Sequence, residues 1–117
     1  MRKLIFKPLA LQEQRQTLQH SRKMFGSRAA RAYEALIRRA YRALCADPKR
    51  AGVVVSDELQ EGLALFHLRH TRTRGAAPKQ ARHFIVFTYD ETTLTILRIL
   101  HDSMDITQRI TNETDEG

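Results

Sequence analysis

Six apolar residues of one segment, Tyr33, Leu36, Ile37, Ala40, Tyr41 and Leu44, recur at i, i+3, i+4, i+7, i+8 and i+11, the spacing of a single helix face. A helix so patterned must bury that face against another layer, which commits the chain to a packed, layered domain. The same geometry puts Arg28, Arg31, Arg38 and Arg42 on a different stripe with Arg39 beside it, so a row of guanidiniums is displayed while the tyrosines and leucines are buried. Asp47-Pro48 ends the helix, because a residue before proline is pushed out of the helical region.

The flanking segments supply the partners. Lys3-Leu4-Ile5-Phe6-Lys7 is a short β-prone stretch closed by Pro8, a residue suited to the first turn of a following helix. From Leu9 to about Phe25 neither Gly nor Pro occurs, and Leu11, Leu18 and Phe25 give a thin apolar stripe, so a first helix is predicted. Gly26-Ser27 breaks it, with Ser27 placed to cap the second helix and complete a helical hairpin. Beyond the loop Lys49-Arg50-Ala51-Gly52, the stretch 53–62 reads as irregular, and three β-like runs follow at 63–69, 83–89 and 94–101. In the last run Leu94, Ile96, Arg98 and Leu100 alternate with Thr95, Leu97, Ile99 and His101, so both faces carry apolar residues, as in a strand flanked on both sides. Asp90-Glu91-Thr92-Thr93 is a tight polar turn, whereas the connection His70–Arg82 is long for a hairpin. The expected fold is α+β: an N-terminal strand, a two-helix hairpin, then a three-stranded antiparallel meander packed against the helices. One domain spans residues 1–110, and 111–117 reads as an acidic, frayed tail.

With 117 residues, a single domain is the expectation. No apolar run is long enough to span a membrane, and the opening residues make no signal peptide. Cys45 is the only cysteine, which excludes an internal disulfide framework and points to a reducing compartment, the cytoplasm. On the helix beside the apolar face, it reads as a packing residue. The balance of 20 Lys+Arg against 13 Asp+Glu gives a net charge of +7. Residues 1–50 carry 13 basic and three acidic side chains, residues 51–117 seven basic and ten acidic. Such a distribution suits a polyanionic or acidic protein partner, or a solvated helical surface.

The candidate chemistry lies in the second half. Arg69-His70-Thr71-Arg72-Thr73-Arg74, with Lys79, Arg82 and His83, forms an acid-free cationic segment whose complement is a phosphate or carboxylate. His70, His83, His101, Arg69, Arg72 and Arg98 include the residue types that RNA cleavage needs for a base, an acid and charge stabilisation. A strand-end histidine more often only hydrogen-bonds backbone. The histidines lack metal-ligand spacing and accompanying thiolates, and the five glycines never cluster into a phosphate loop, so neither a metal nor another cofactor is expected.

Over about residues 2–106 the chain resembles the ParE/RelE superfamily, the toxins of type II toxin–antitoxin modules, and more closely its ParE branch. The resemblance rests on the starting strand Lys3–Lys7, the helical hairpin ending in Leu44-Cys45-Ala46-Asp47-Pro48, the strand His83-Phe84-Ile85-Val86-Phe87, and above all Leu97-Arg98-Ile99-Leu100-His101-Asp102-Ser103-Met104-Asp105. That last stretch is similar to the family's closing strand, which commonly reads Arg, apolar, apolar, His, two variable residues, Met, Asp. Two departures are a longer 70–82 hairpin and the absence of a basic residue often found where Ser103 stands.

The resemblance implies a growth-inhibiting bacterial toxin neutralised by a cognate antitoxin in a hetero-oligomer. ParE relatives poison DNA gyrase, whereas RelE relatives cut mRNA on the ribosome, tending to use Lys and Arg with a tyrosine near the end of the last strand. Residues 101–105 contain no tyrosine, and Tyr89 reads as a half-buried sheet residue, which favours the gyrase reading. On it Arg69, Arg72, Arg98, His101 and Met104 are candidate target contacts, and Arg28, Arg31, Arg38, Arg39 and Arg42 meet an acidic, amphipathic antitoxin segment. Neither membrane association nor sequence-specific nucleic-acid binding is expected. The alternative is a ribosome-dependent endoribonuclease using His70, Arg98 and His101.

Overall fold

The computed structural model describes residues 1–56 and 62–104, so the 111–117 tail and Asp105 lie outside the described residues. Strand β1 (Lys3–Phe6) leads into helices α1 (Pro8–Phe25) and α2 (Ser27–Ala46). Then come β2 (Val53–Val55), β3 (Ala64–His67), a 3-10 turn (Leu68–Thr71), β4 (His83–Tyr89) and β5 (Thr93–His101). The five strands form one sheet in the order β1-β5-β4-β3-β2, with β1 parallel to β5 and every other pair antiparallel. The α+β class and the helical hairpin match the expectation, and the sheet is larger than a three-stranded meander. β1 joins the free side of β5, and Val53–Val55, expected to be irregular, pairs with β3. The run expected at 63–69 ends early because Leu68–Thr71 turns into 3-10 geometry, with the Thr71 hydroxyl donating to the Leu68 carbonyl at 3.1 Å.

The α2 stripe is buried as its spacing requires: Tyr33, Leu36, Ile37, Ala40, Tyr41, Leu44 and Cys45 pack with Ala10 of α1 and with Phe66, Ile85, Phe87, Leu94, Ile96 and Ile99 of the sheet. Burial of those side chains, at about 1.5–3 kcal/mol for each large one, is the main force holding helices to sheet. The Tyr41 hydroxyl donates to Gln14 Oε1 at 2.6 Å, joining the two helices, and burial raises its pKa. The hairpin turns at Gly26, whose φ of 94° suits a residue without a Cβ. Ser27 is not the cap expected of it: Gly26 holds that position and no side chain caps the helix. At the opposite end of the sheet, Asp90 accepts from the backbone N–H groups of Thr92 and Thr93 and from both hydroxyls. Those hydrogen bonds pin the β4–β5 turn and lower the Asp90 pKa to about 2.

Strict alternation fails in β5. The register slips between Val86 and Phe87, whose partners are Arg98 and Ile96, so Leu97 is an inserted bulge residue. As a result Leu94, Ile96 and Ile99 all join the core under the helices, while Leu97 and Leu100 join a smaller cluster with Leu63, Leu65 and Val86. The bulge lies just beyond the end of β1, whose pairing stops at Ile96. There Glu13 of α1 takes over: its carboxylate accepts the Ile99 backbone N–H at 3.1 Å and pairs with both Arg98 Nε, at 2.9 Å, and Arg98 Nη2, at 2.7 Å. Arg98 is 7% exposed.

Breaking a buried, bidentate pair takes from the remaining charge its strongest compensating partner. Replacing Glu13 by Leu is expected to lower the unfolding free energy by about 3–5 kcal/mol. Adding Arg98→Met should recover part of that loss, because the second change removes a buried guanidinium that has lost the Glu13 carboxylate. Urea unfolding of the three proteins checks this; a single variant within about 0.5 kcal/mol of the parent would mean the pair carries no stability.

Candidate functional site

A groove of about 1010 Å³ runs between the helical hairpin and the end of the sheet where β4 begins and β5 ends. Phe25 and Ala32 line it from the helices, Pro78 and Lys79 from the long connection, and Ile99, His101 and Met104 from the last strand and the residues after it. Phe25 is 73% exposed, so an unburied aromatic ring stands at its rim.

The sheet side of the groove carries a polar network spread over four elements. His83 and His101 face each other across β4 and β5, ring centroids 5.1 Å apart and planes at 85°. The Tyr33 hydroxyl accepts the Arg82 backbone N–H at 3.0 Å and is hydrogen-bonded to His83 Nδ1 at 2.6 Å. Burial, reinforced by the nearby His101, lowers the His83 pKa to about 4, so the ring is neutral at physiological pH. Asp102 binds His67 Nε2 at 3.0 Å and Arg82 Nη2 at 3.0 Å, and its own N–H donates to the Arg82 carbonyl at 2.8 Å. Although burial pushes the Asp102 carboxyl up, the His67 hydrogen bond and the Arg82 charge outweigh it and hold the pKa below its ordinary value.

Backbone donors fix the tautomers. His67 Nδ1 accepts the Arg69 N–H at 3.1 Å and His101 Nδ1 accepts the Ser103 N–H at 3.1 Å, so each neutral ring carries its proton on Nε2. His67 and His101 thereby present Nε2–H donors, the one to Asp102 and the other at the groove.

The sequence candidates are dispersed. His101 and Met104 line the groove. Arg69 and His70 belong to a second recess of about 280 Å³ beside Gly52 and Phe84, where the His70 ring lies so close over Gly52 that a Cβ there would stand 2.6 Å from it. Burial and the neighbouring Arg69 lower the His70 pKa. Arg72 is exposed and donates to the Pro78 carbonyl at 3.3 Å. Arg98 is buried against Glu13, so His70, Arg98 and His101 do not share one site. Of the α2 arginines, Arg28, Arg31 and Arg42 are exposed, Arg38 pairs with Glu34 at 2.9 Å, and Arg39 donates to the Thr71 carbonyl at 3.0 Å. The row flanks the groove without lining it. Sequence reasoning took Tyr33 as core alone and assigned Asp102 no role. The one available signal was Asp102 adjoining His101, since its partners His67 and Arg82 are distant in sequence. Among the described residues no group of three His, Cys, Asp or Glu side chains could hold a metal ion, and no helix is long and apolar enough to cross a membrane.

Residues 4–106 match the family model described as the ParE toxin of the type II toxin-antitoxin system, parDE. No curated protein matches the chain.

His83 titrates near 4 when folded and near 6.5 when unfolded, so the unfolded chain binds the extra proton between those values and acidification destabilises the fold. Stability is expected to fall with a slope approaching 1.4 kcal/mol per pH unit across that window from this ring alone. The measurement is urea unfolding at pH 7, 6, 5 and 4 in parallel with His83→Gln, whose profile should be flatter by up to about one proton; superimposable profiles would reject the assignment.

Proposed function

The chain belongs to the ParE toxin family of type II toxin-antitoxin systems, and from that premise we propose that it arrests growth by gripping DNA gyrase and cleaves no RNA. Membership implies a cognate antitoxin. The observation that carries the binding reading is the state of His101: the Ser103 N–H occupies its Nδ1 and holds it as an Nε2–H donor, which equips it to hold an acceptor and not to abstract a proton. The dispersal of His70, Arg98 and His101 supports the same reading, because general acid, base and charge stabiliser must meet at one phosphate.

In this reading Arg69 and Arg72, exposed beside β3, contact the target together with His101 and Met104 at the end of β5. Arg98 acts through Glu13 as a positioning residue for that end. The antitoxin lays an amphipathic segment along the groove, its apolar side chains on Phe25, Ile99 and Met104, its carboxylates toward Arg28, Arg31, Arg38, Arg39 and Arg42. Because His101 and Met104 belong to both surfaces, the antitoxin neutralises by covering target contacts. The acid-poor first half of the chain makes the encounter rate dependent on salt. A cytoplasmic location follows from both partners.

Purified protein added to gyrase supercoiling and DNA-cleavage reactions, and to a translation reaction probed for cut message, tests the proposal. Supercoiling should be inhibited, the message left whole, and inhibition relieved by the cognate antitoxin. Arg69→Glu with Arg72→Glu should weaken gyrase inhibition by about tenfold or more. Cut message with unaffected supercoiling would establish the endoribonuclease reading instead.

A further inference from the structure

The polar end of the groove has a lopsided chemistry. His83 and His101 each spend Nδ1 inside the protein, on the Tyr33 hydroxyl and the Ser103 N–H, which keeps the His101 proton on Nε2; both line the groove with Arg82 and Lys79. Among the described residues the groove's one lining carboxylate is Glu13, already engaged by Arg98 and the Ile99 N–H. Asp102 is taken by His67 and Arg82, and its Oδ1 stands 3.6 Å from His101 Nδ1, on the ring edge away from Nε2. Cationic and N–H donor groups therefore outnumber carboxylates there, on a surface where Phe25, Ile99 and Met104 alternate with neutral polar side chains such as Gln16 and Gln80. A docked segment that is apolar throughout would leave those N–H groups without water or partner, at a cost for each. One carboxylate, accepting from two imidazoles with a guanidinium nearby, removes that cost and adds charge-assisted hydrogen bonds.

We propose that His83 and His101, with Arg82 beside them, form a subsite that accepts one carboxylate side chain of the cognate antitoxin. The proposal rests on the reading that the antitoxin occupies this groove. The site selects an acceptor: an Asp or Glu of the antitoxin fits it, a Lys or Arg is repelled, and an aliphatic residue leaves two donors buried and unmet. Specificity among antitoxins of equal hydrophobicity then comes from where their carboxylate falls along the segment.

The test uses the purified toxin and its antitoxin, with affinities of His101→Phe, His101→Gln and Phe25→Ser compared with wild type. His101→Phe keeps a ring but removes the donor and should weaken binding about tenfold or more, whereas His101→Gln, whose amide N–H replaces the Nε2–H, should stay within about threefold. Phe25→Ser should weaken binding whether or not the subsite exists. If Phe25→Ser weakens binding and His101→Phe does not, the subsite is refuted and the groove reading survives; if neither does, both fail. Imidazole nitrogen NMR of the wild-type pair provides a readout independent of variant folding: the Nε2 protons of His83 and His101 should move downfield on antitoxin binding, and unmoved protons overturn the proposal. A labelled single-stranded oligonucleotide is the counter-probe. Binding of it that depends on His101, with antitoxin affinity unchanged, would show that the donors serve a phosphate and would likewise overturn it.

Discussion

One carboxylate on a helix completes the hydrogen bonding of a strand. β1 reaches only as far as Ile96, and past that point β5 bulges and presents an N–H that no strand receives. Glu13 receives it, and the same two oxygens hold the guanidinium of the bulged residue's neighbour, Arg98. α1 is thus tied to the last third of β5 by directional bonds in addition to apolar contact. The groove exists because α1 is held there, and His101 and Met104 stand where they do because β5 continues beyond its parallel partner. A buried ion pair is weak evidence for stability gained over an apolar alternative. Here it also fixes geometry, since a greasy pair would leave the Ile99 N–H unmet.

The polar network on the sheet side has the same character. His67 and His101 are oriented through Nδ1 by backbone N–H groups, and Asp102 gathers His67 and Arg82 around the residues that follow β5. A neutral ring fixed in this way is a hydrogen-bond donor first, and histidines clustered in a cleft are not thereby an acid–base pair. That distinction separates a surface that holds a partner from one that transforms it.

Much of the architecture was legible because it is periodic. The α2 stripe, the helical hairpin broken at Gly26 and the strands at 83–89 and 94–101 all follow from local spacing. β2 was missed because three consecutive valines show no alternation, and its strand character comes from pairing with β3. The Leu97 bulge was equally hidden: period-two reading placed Ile99 and Leu94 on opposite faces, and the inserted residue brings them to the same one. Arg98 looked like a contact residue because a strand arginine in a closing motif invites that role. The clue to its burial was that Glu13 is the single acid of α1. Tyr33 was read correctly as core, but its hydroxyl serves His83 and Arg82, and no spacing rule reports a partner fifty residues away.

The placement of β2 at the margin of the sheet has a consequence for handling this molecule. Val54 and Val55 are 61% and 56% exposed on a strand whose outer side has no neighbour in the sheet among the described residues. An apolar, unpaired margin is a template on which further chains can stack. Two cations immediately precede it, Lys49 and Arg50, the latter lying over the Phe66 ring. Copies that meet along this margin bring those charges together, and the repulsion acts as a gatekeeper against fibrillar association. Salt screens such repulsion, so colloidal stability in concentrated solution is governed by ionic strength at this margin as much as by the integrity of the fold.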